Sequence, residues 1–287
     1  MVRNDYDTNL IFAILVRNLR RLKIASKLKQ STNNEYHQLL INNHPPMCFH
    51  NSMSKKAQEV ANRFNAQIEI GFEPIYHASG FSFPEWPVIT AEEPEKIKMY
   101  QWGLIPQWVK DEEQAKKIRG QALNARSETI FEKPSFRLSI HKKRCFVLST
   151  GFFEWQDFNK KKYPYFIHLK KSELFALAGI YSKWVNKSTG EISNTFSIIT
   201  TAANTLMAKI HNSKERMPVI LPPKIERDWL NTDLNDDQIK NFFHAIDHRE
   251  MKAHTISRLI TSRKENSNVP VVIEKFEYPE LVDAVNC

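Results

Sequence analysis

The sequence predicts an α+β domain, built on a curved, mainly antiparallel sheet or small β-barrel-like core with flanking helices, over residues 47–280. Two observations carry that expectation. Strand candidates at 145–149, 152–156, 163–169, 174–185 and 192–200 follow one another closely, and Lys187-Ser188-Thr189-Gly190 reads as the hairpin turn between the last two. Stretches of helical period lie before and after them, so strands cluster in runs with helices between, which is the α+β arrangement. The chain shows no internal repeat.

The elements follow in order. Residues 1–46 fall outside the pattern. The apolar run 10–16 is too short to span a bilayer, no small-residue cleavage site precedes the basic stretch 17–29, and the Asn-rich segment 31–44 ends at Pro45-Pro46. The segment reads as a leader foreign to the fold, disordered or never translated because the start codon is misplaced; a basic amphipathic helix is the alternative. Ala57, Val60, Ala61 and Phe64 repeat at i, i+3, i+4 and i+7, predicting a helix with Ser54 as its N-cap. Residues 71–94 predict extended segments and loops, 97–104 a strand, 110–120 a charged mobile connection, and 127–140 one or two short helices broken at Pro134. Beyond the strand run, helices are expected at 202–210, 222–230 and 236–246, and strands at 217–221 and 269–276.

With 287 residues, 41% of them hydrophobic, the chain can fill a substantial core. Of the net charge of +9, residues 1–46 hold seven Lys/Arg against three Asp/Glu, which leaves a surplus of five on the remainder. That surplus suits a polyanionic partner such as nucleic acid, and equally a plain solvated surface. Cys48, Cys145 and Cys287 are odd in number and lack metal-ligand spacing, pointing to a reducing compartment rather than a disulfide framework. With no metal constellation, Gly-rich phosphate loop or cofactor fingerprint in the sequence, no metal and no cofactor are expected.

Chemistry concentrates in five places. Met47-Cys48 can become a chain start, since an initiator Met is readily removed before a small residue. The new terminus would carry an α-amine and a thiol on adjacent carbons, a 1,2-aminothiol that closes a thiazolidine on an aldehyde. An amine pKa of about 7.7–8.0 and a thiol pKa of about 8.5 leave both groups reactive near neutrality. The helix that follows would lower the thiol pKa if the chain folds back to its N-terminus; a buried structural Cys is the plain alternative. Trp102-Gly103-Leu104-Ile105-Pro106 with Trp108 suits stacking on a base, or capping a core. Asn124 and Arg126 precede a helix, as substrate contact and phosphate fork or as an ordinary cap. Glu154 lies between aromatics in Gly151-Phe152-Phe153-Glu154-Trp155, where burial would raise its pKa into range for proton transfer, unless it faces water from an edge strand. His211 ends a helix before a charged turn, as an acid/base group or a dipole contact.

The order of these motifs resembles the SOS-response-associated peptidase (SRAP) family from Met47 to roughly Leu230. Met47-Cys48 and Trp102 to Pro106 are followed by Asn124-Ala125-Arg126 with Glu132-Lys133-Pro134-Ser135-Phe136, and then by Gly151 to Trp155. Thr200-Thr201-Ala202-Ala203-Asn204 and Ile210-His211 with Arg216-Met217-Pro218 complete the series. Proteins of that family look after abasic sites in single-stranded DNA by trapping the sugar aldehyde on an N-terminal Cys. The resemblance implies that Cys48 is the trap, that Asn124 positions it or the sugar, and that Glu154 and His211 are the acid/base pair. It also implies that Arg126 contacts phosphate, that Arg216 binds DNA, and that Trp102 and Trp155 lie near displaced bases. Self-processing peptidase activity, AP-lyase-like activity and a role in the DNA-damage response belong to the same expectation, in a monomeric cytoplasmic, nucleoid-associated protein without a membrane partner. Two departures stand out. Many members carry Gly-Arg after the Cys, where this chain has Phe49-His50, and forty-six residues precede Met47, so Cys48 is terminal only if they are removed or not translated. The rival readings are a thiol hydrolase with an N-terminal Cys nucleophile acting on amide bonds, and a non-catalytic single-strand binding module with an inert Cys.

Overall fold

Runs of apolar and β-branched residues, some alternating with polar ones and some buried throughout, give fourteen strands among the residues described by the computed structural model, 48–282; residues 1–47 and 283–287 lie outside them. The strands are β1 (His50–Met53), β2 (Gln67–Ile68), β3 (Ile75–Ser79), β4 (Glu85–Thr90), β5 (Lys96–Trp102), β6 (Asn124–Arg126) and β7 (Arg144–Ser149). They continue as β8 (Gly151–Phe158), β9 (Lys161–Leu169), β10 (Phe175–Val185), β11 (Ile192–Ala202), β12 (Arg216–Pro218), β13 (Ile220–Leu221) and β14 (Met251–Thr255). Six short helices lie among them: α1 (Ala57–Phe64), α2 (Glu112–Arg119), α3 (Ser139–Lys142), α4 (Thr205–Ile210), α5 (Asp236–Lys240) and α6 (Pro279–Val282). No helix among the described residues is long and apolar enough to cross a membrane.

Five strands close into a barrel, as the α+β, barrel-like expectation requires. β4 pairs antiparallel with β5 and β7, β7 with β10, and β10 with β11. β11 then runs parallel to β5, with Phe196 opposite Trp102, and completes the ring. Val88, Trp102, Phe146, Leu177 and Phe196, one from each strand, join one buried core. A second, antiparallel sheet runs in the order β14-β9-β8-β1-β3. The two are joined where β7 passes into β8. There Ser149 Oγ donates to Asn51 Oδ1 at 2.7 Å, and the Ser54 amide donates to Thr150 Oγ1 at 3.0 Å, so the junction grips β1 from both ends.

Several elements differ from the sequence expectation. Ser54 does not cap α1; it is committed to Thr150, and the helix begins after Lys56. The charged stretch expected to be a mobile connection is helix α2, with Asp111 Oδ1 accepting from the Gln114 amide at 2.8 Å, acids in its first turn and bases in its last. Residues 127–140 are mostly turns, with α3 beginning only at Ser139. Helix α4 starts at Thr205 because Ala202 still belongs to β11, and the expected strand 217–221 is split into β12 and β13. Residues 226–230 form a 3₁₀ turn, and α5 stops at Lys240 so that Phe242 and Phe243 can pack edge-on against Trp229. The strand expected at 269–276 is instead a 3₁₀ turn with Pro270 at its start, where a missing amide hydrogen costs nothing. The last strand of that sheet is β14, which pairs with β9.

Gly151 opens β8 opposite Ser52 of β1. A β-carbon there would overlap the Phe166 ring and come within 2.8 Å of the Ile167 backbone oxygen, which has nowhere to go. Gly151→Ala is therefore expected to lower unfolding free energy by about 1–3 kcal/mol in urea titration. A wild-type midpoint would show that β8 and β9 leave room for a side chain there.

Candidate active site

Cys48 stands two residues ahead of β1, which runs antiparallel to β8 with His50 opposite Phe153 and Asn51 opposite Phe152. Alternation along β8 decides what each side chain meets. Phe153 enters a satellite core with Phe166 and Ile256, while Phe152 joins the main core; Glu154, two residues on, shares the Phe152 side and is buried. That removes the wet-edge reading of Glu154. His211 terminates α4, whose N-cap Asn204 accepts from the Met207 amide at 2.9 Å, and a turn from His211 leads into β12. Asn124, on β6 beside β11, donates from Nδ2 to the Cys48 carbonyl at 3.2 Å. The Gly80 amide donates to the Phe49 carbonyl at 2.7 Å, so the backbone is held at both residues.

These placements bring the Cys48 sulfur, a Glu154 carboxyl oxygen and a His211 ring nitrogen within 4.8 Å of one another, all in buried side chains. His211 Nε2 is 3.7 Å from Glu154 Oε2. Its Nδ1 lies 3.0 Å from the Arg216 carbonyl, which can only accept, so Nδ1 is the donor and the neutral ring presents a lone pair at Nε2. Burial pushes the Glu154 carboxyl above its usual range, opposed by His211 and by the hydrogen bond with Cys48. Burial likewise pushes the Cys48 thiol well up, with the Glu154 charge and hydrogen bond adding to it. The expected lowering of the thiol by a helix end is corrected here: the four residues of β1 separate Cys48 from α1 by roughly 13 Å of extended chain. A thiol so placed needs a neighbouring base at the moment it reacts, and Glu154 is that neighbour.

The remaining expected residues divide. Arg126 is exposed, with Nε 3.8 Å from Glu128, and is free to meet a phosphate. Arg216 is not: it is buried, binds Glu128 through both terminal nitrogens, and donates to the Thr200 carbonyl and hydroxyl at 2.8 and 3.2 Å. Its guanidinium is committed to these partners, and its backbone carbonyl is the one that His211 Nδ1 meets. Trp102 is fully buried, its Nε1 donating to the Leu123 carbonyl at 2.8 Å, and offers no face to a base. In the same motif it is Trp108, 42% exposed, that presents a ring. Trp155 is half-buried, edge-on to His50 with ring centres 4.8 Å apart. Glu128, Thr200 and Asn51 went unrecognised in the sequence, although Thr200 opens one of the quoted motifs and Glu128 lies two residues beyond Arg126.

Known proteins resemble this chain in sequence and in fold. Residues 47–263 match the family model described as SOS response associated peptidase (SRAP). The chain is 38% identical over 233 residues to the abasic site processing protein YoqW of Bacillus subtilis, covering 79% of this chain and 99% of that one. It is 30% identical over 186 residues to the abasic site processing protein HMCES of Xenopus tropicalis, covering 58% and 54%. A crystal structure of a protein from Bacteroides thetaiotaomicron superposes with a TM-score of 0.76 at 43% identity, covering 80% of this chain and all of that one.

The Phe49-His50 departure has a structural counterpart. His50 stacks on His77 with ring centres 5.1 Å apart, and its Nδ1 is 2.8 Å from His77 Nε2, a contact that needs a proton on one nitrogen and not the other. Burial holds His50 at about 3 and His77 at about 4, so neither supplies a cation at neutral pH. The unfolded rings take up protons near 6.5, so between there and pH 4 the unfolded state binds more protons and stability must fall as pH drops. Urea unfolding should show a loss on the order of 3 kcal/mol for each of the two histidines from pH 7 to pH 4, and a smaller one in His77→Gln. Equal pH dependence in the two proteins would remove the pair as its cause.

Proposed function

The chain belongs to the SOS response associated peptidase (SRAP) family, and from that premise we propose that it processes abasic sites in DNA by trapping the sugar aldehyde covalently at Cys48. The supporting observation is the buried group of Cys48, Glu154 and His211, with Asn124 holding the Cys48 carbonyl. The trap requires a free amine, so the residues ahead of Cys48 must be absent, through a start at Met47, aminopeptidase action, or cleavage by the chain itself. Glu154 and His211 stand beside the thiol that such a cleavage would use.

In the closed sugar, the lone pair at His211 Nε2 takes the proton of the anomeric hydroxyl while Glu154, in its acid form, protonates the ring oxygen. Because Nδ1 already donates to the Arg216 carbonyl, His211 takes the base role in the expected acid/base pair and Glu154 the acid role. The Cys48 amine attacks the freed carbonyl carbon, water leaves as an imine forms, and the thiol adds to the C=N bond while Glu154 accepts its proton. The product is a thiazolidine, with one water lost overall. Asn124 fixes the Cys48 backbone during these steps, Arg126 meets a phosphate, and Trp155 lies beside the entering strand. A sugar splayed out of the stack is needed, so the substrate is single-stranded DNA, held by the backbone and released by salt. In this reading the protein acts as a monomer at the nucleoid in the DNA-damage response, with AP-lyase-like chemistry at the same imine as a side branch.

Mixed with single-stranded DNA carrying one abasic site, the protein is expected to form an adduct that survives denaturing electrophoresis. Cys48→Ser should form none, and Glu154→Gln should form it about 10² to 10⁴ times more slowly with DNA binding unchanged. Cleaved substrate without an adduct would instead favour the amide hydrolase, and an adduct formed at full rate by Glu154→Gln would remove that residue from the chemistry.

A further inference from the structure

The sequence shows no metal-ligand spacing, yet the fold assembles one ligand set from three distant segments. Cys48, Glu154 and His211 contribute sulfur, oxygen and nitrogen donors within 4.8 Å of one another. Glu154 Oε1 and His211 Nε2 are both buried and both lack a hydrogen-bond partner among the described residues. Such atoms cost about 1–3 kcal/mol each when left unmatched. A cation would match them, since it takes lone pairs from both at once. His211 is already oriented for ligation: Nδ1 donates to the Arg216 carbonyl, which leaves Nε2 to the ligand and supplies the outer partner that metal-bound histidines use.

We infer that Cys48, Glu154 and His211 bind a thiophilic divalent cation of the Zn²⁺ class, which sits among them in place of the abasic sugar and holds the trap inactive. Only that last clause rests on the proposed function; the binding needs the three side chains alone. The mixed S, N and O set selects Zn²⁺-like ions over Mg²⁺ and Ca²⁺, which take oxygen. Tetrahedral ligands about 2.0–2.3 Å from zinc lie about 3.3–3.8 Å apart. The His211–Glu154 pair, at 3.7 Å, already fits, and the most distant donors must close by roughly 1 Å, within the reach of side-chain rotation. Binding sends the thiol proton, and that of the carboxyl where it is protonated, to solvent; no electrons move. In protein that begins at Cys48, the α-amine becomes a fourth ligand and closes a five-membered chelate with the thiolate, so both groups the trap needs are tied up.

Cobalt(II) titration of the protein as expressed tests this, because thiolate-bound cobalt gives a near-ultraviolet charge-transfer band. One saturable site is expected, with the band displaced by Zn²⁺, absent in Cys48→Ser and retained in Cys145→Ser. His211→Ala and Glu154→Gln, checked for native circular dichroism, should each weaken Co²⁺ binding by about tenfold or more. No saturable band, or binding unchanged in all three site variants, would overturn the inference. Crosslinking is measured in parallel: Zn²⁺ should slow it and EDTA restore it. Absence of crosslinking in EDTA counts against the trapping reading and leaves the cobalt result standing, whereas crosslinking indifferent to Zn²⁺ overturns the inhibitory role.

Discussion

Everything at the site depends on the pairing of β1 with β8. Four residues of strand, held on one side by β8 and on the other by β3, carry the start of the described chain to the centre of the molecule. The backbone ladder sets the register, and register decides whether Glu154 meets Cys48 or solvent, since a slip of one residue would exchange the two faces. Side chains lock the same register: Asn51 Oδ1 accepts from Ser149, Thr150 takes the Ser54 amide, and Met53 is fully buried. The barrel supplies the rigid wall against which this small strand is pressed.

Rigidity matters because the site keeps polar groups where water does not reach. Asn124 Oδ1, Glu154 Oε1 and His211 Nε2 are buried without partners among the described residues, a cost that the surrounding hydrophobic core has to offset. In return the groups need little reorganisation when charge moves among them, which is the condition for effective proton transfer in a site closed to solvent. The orientation of His211 is secured at one remove. Glu128 and Thr200 hold Arg216, and the Arg216 carbonyl fixes the imidazole tautomer, so a salt bridge that would be worth little at the surface acts here through geometry.

The strand run from 145 to 200 and the helix at 57–64 were legible because period two and period 3.6 are local properties of a sequence. Cys48, Asn124, Glu154 and His211 were legible as a set only through the order of their motifs, as no spacing rule joins residues 48 and 211. What the sequence hid was burial. Trp102 and Arg216 carry the same chemistry as Trp108 and Arg126, but stacking of Trp102 on Phe196 and pairing of Arg216 with Glu128 bury the first two. Helix α2 was missed because its single buried residue, Ala115, leaves no apolar stripe to read; its cap and charge gradient were the available signals. The 3₁₀ turn at Pro270–Ile273 was mistaken for a strand since an apolar run does not declare its period over four residues.

The central claim is that a freed Cys48 amine and thiol together close on an abasic sugar. Intact mass measurement of the protein as expressed, before and after mixing with single-stranded DNA carrying one abasic site, tests it most directly. The account predicts a chain that begins at Cys48 and gains the mass of one DNA strand less one water. A chain that begins at Cys48 and gains nothing, or one that retains residues 1–47 and still forms the adduct, would contradict it.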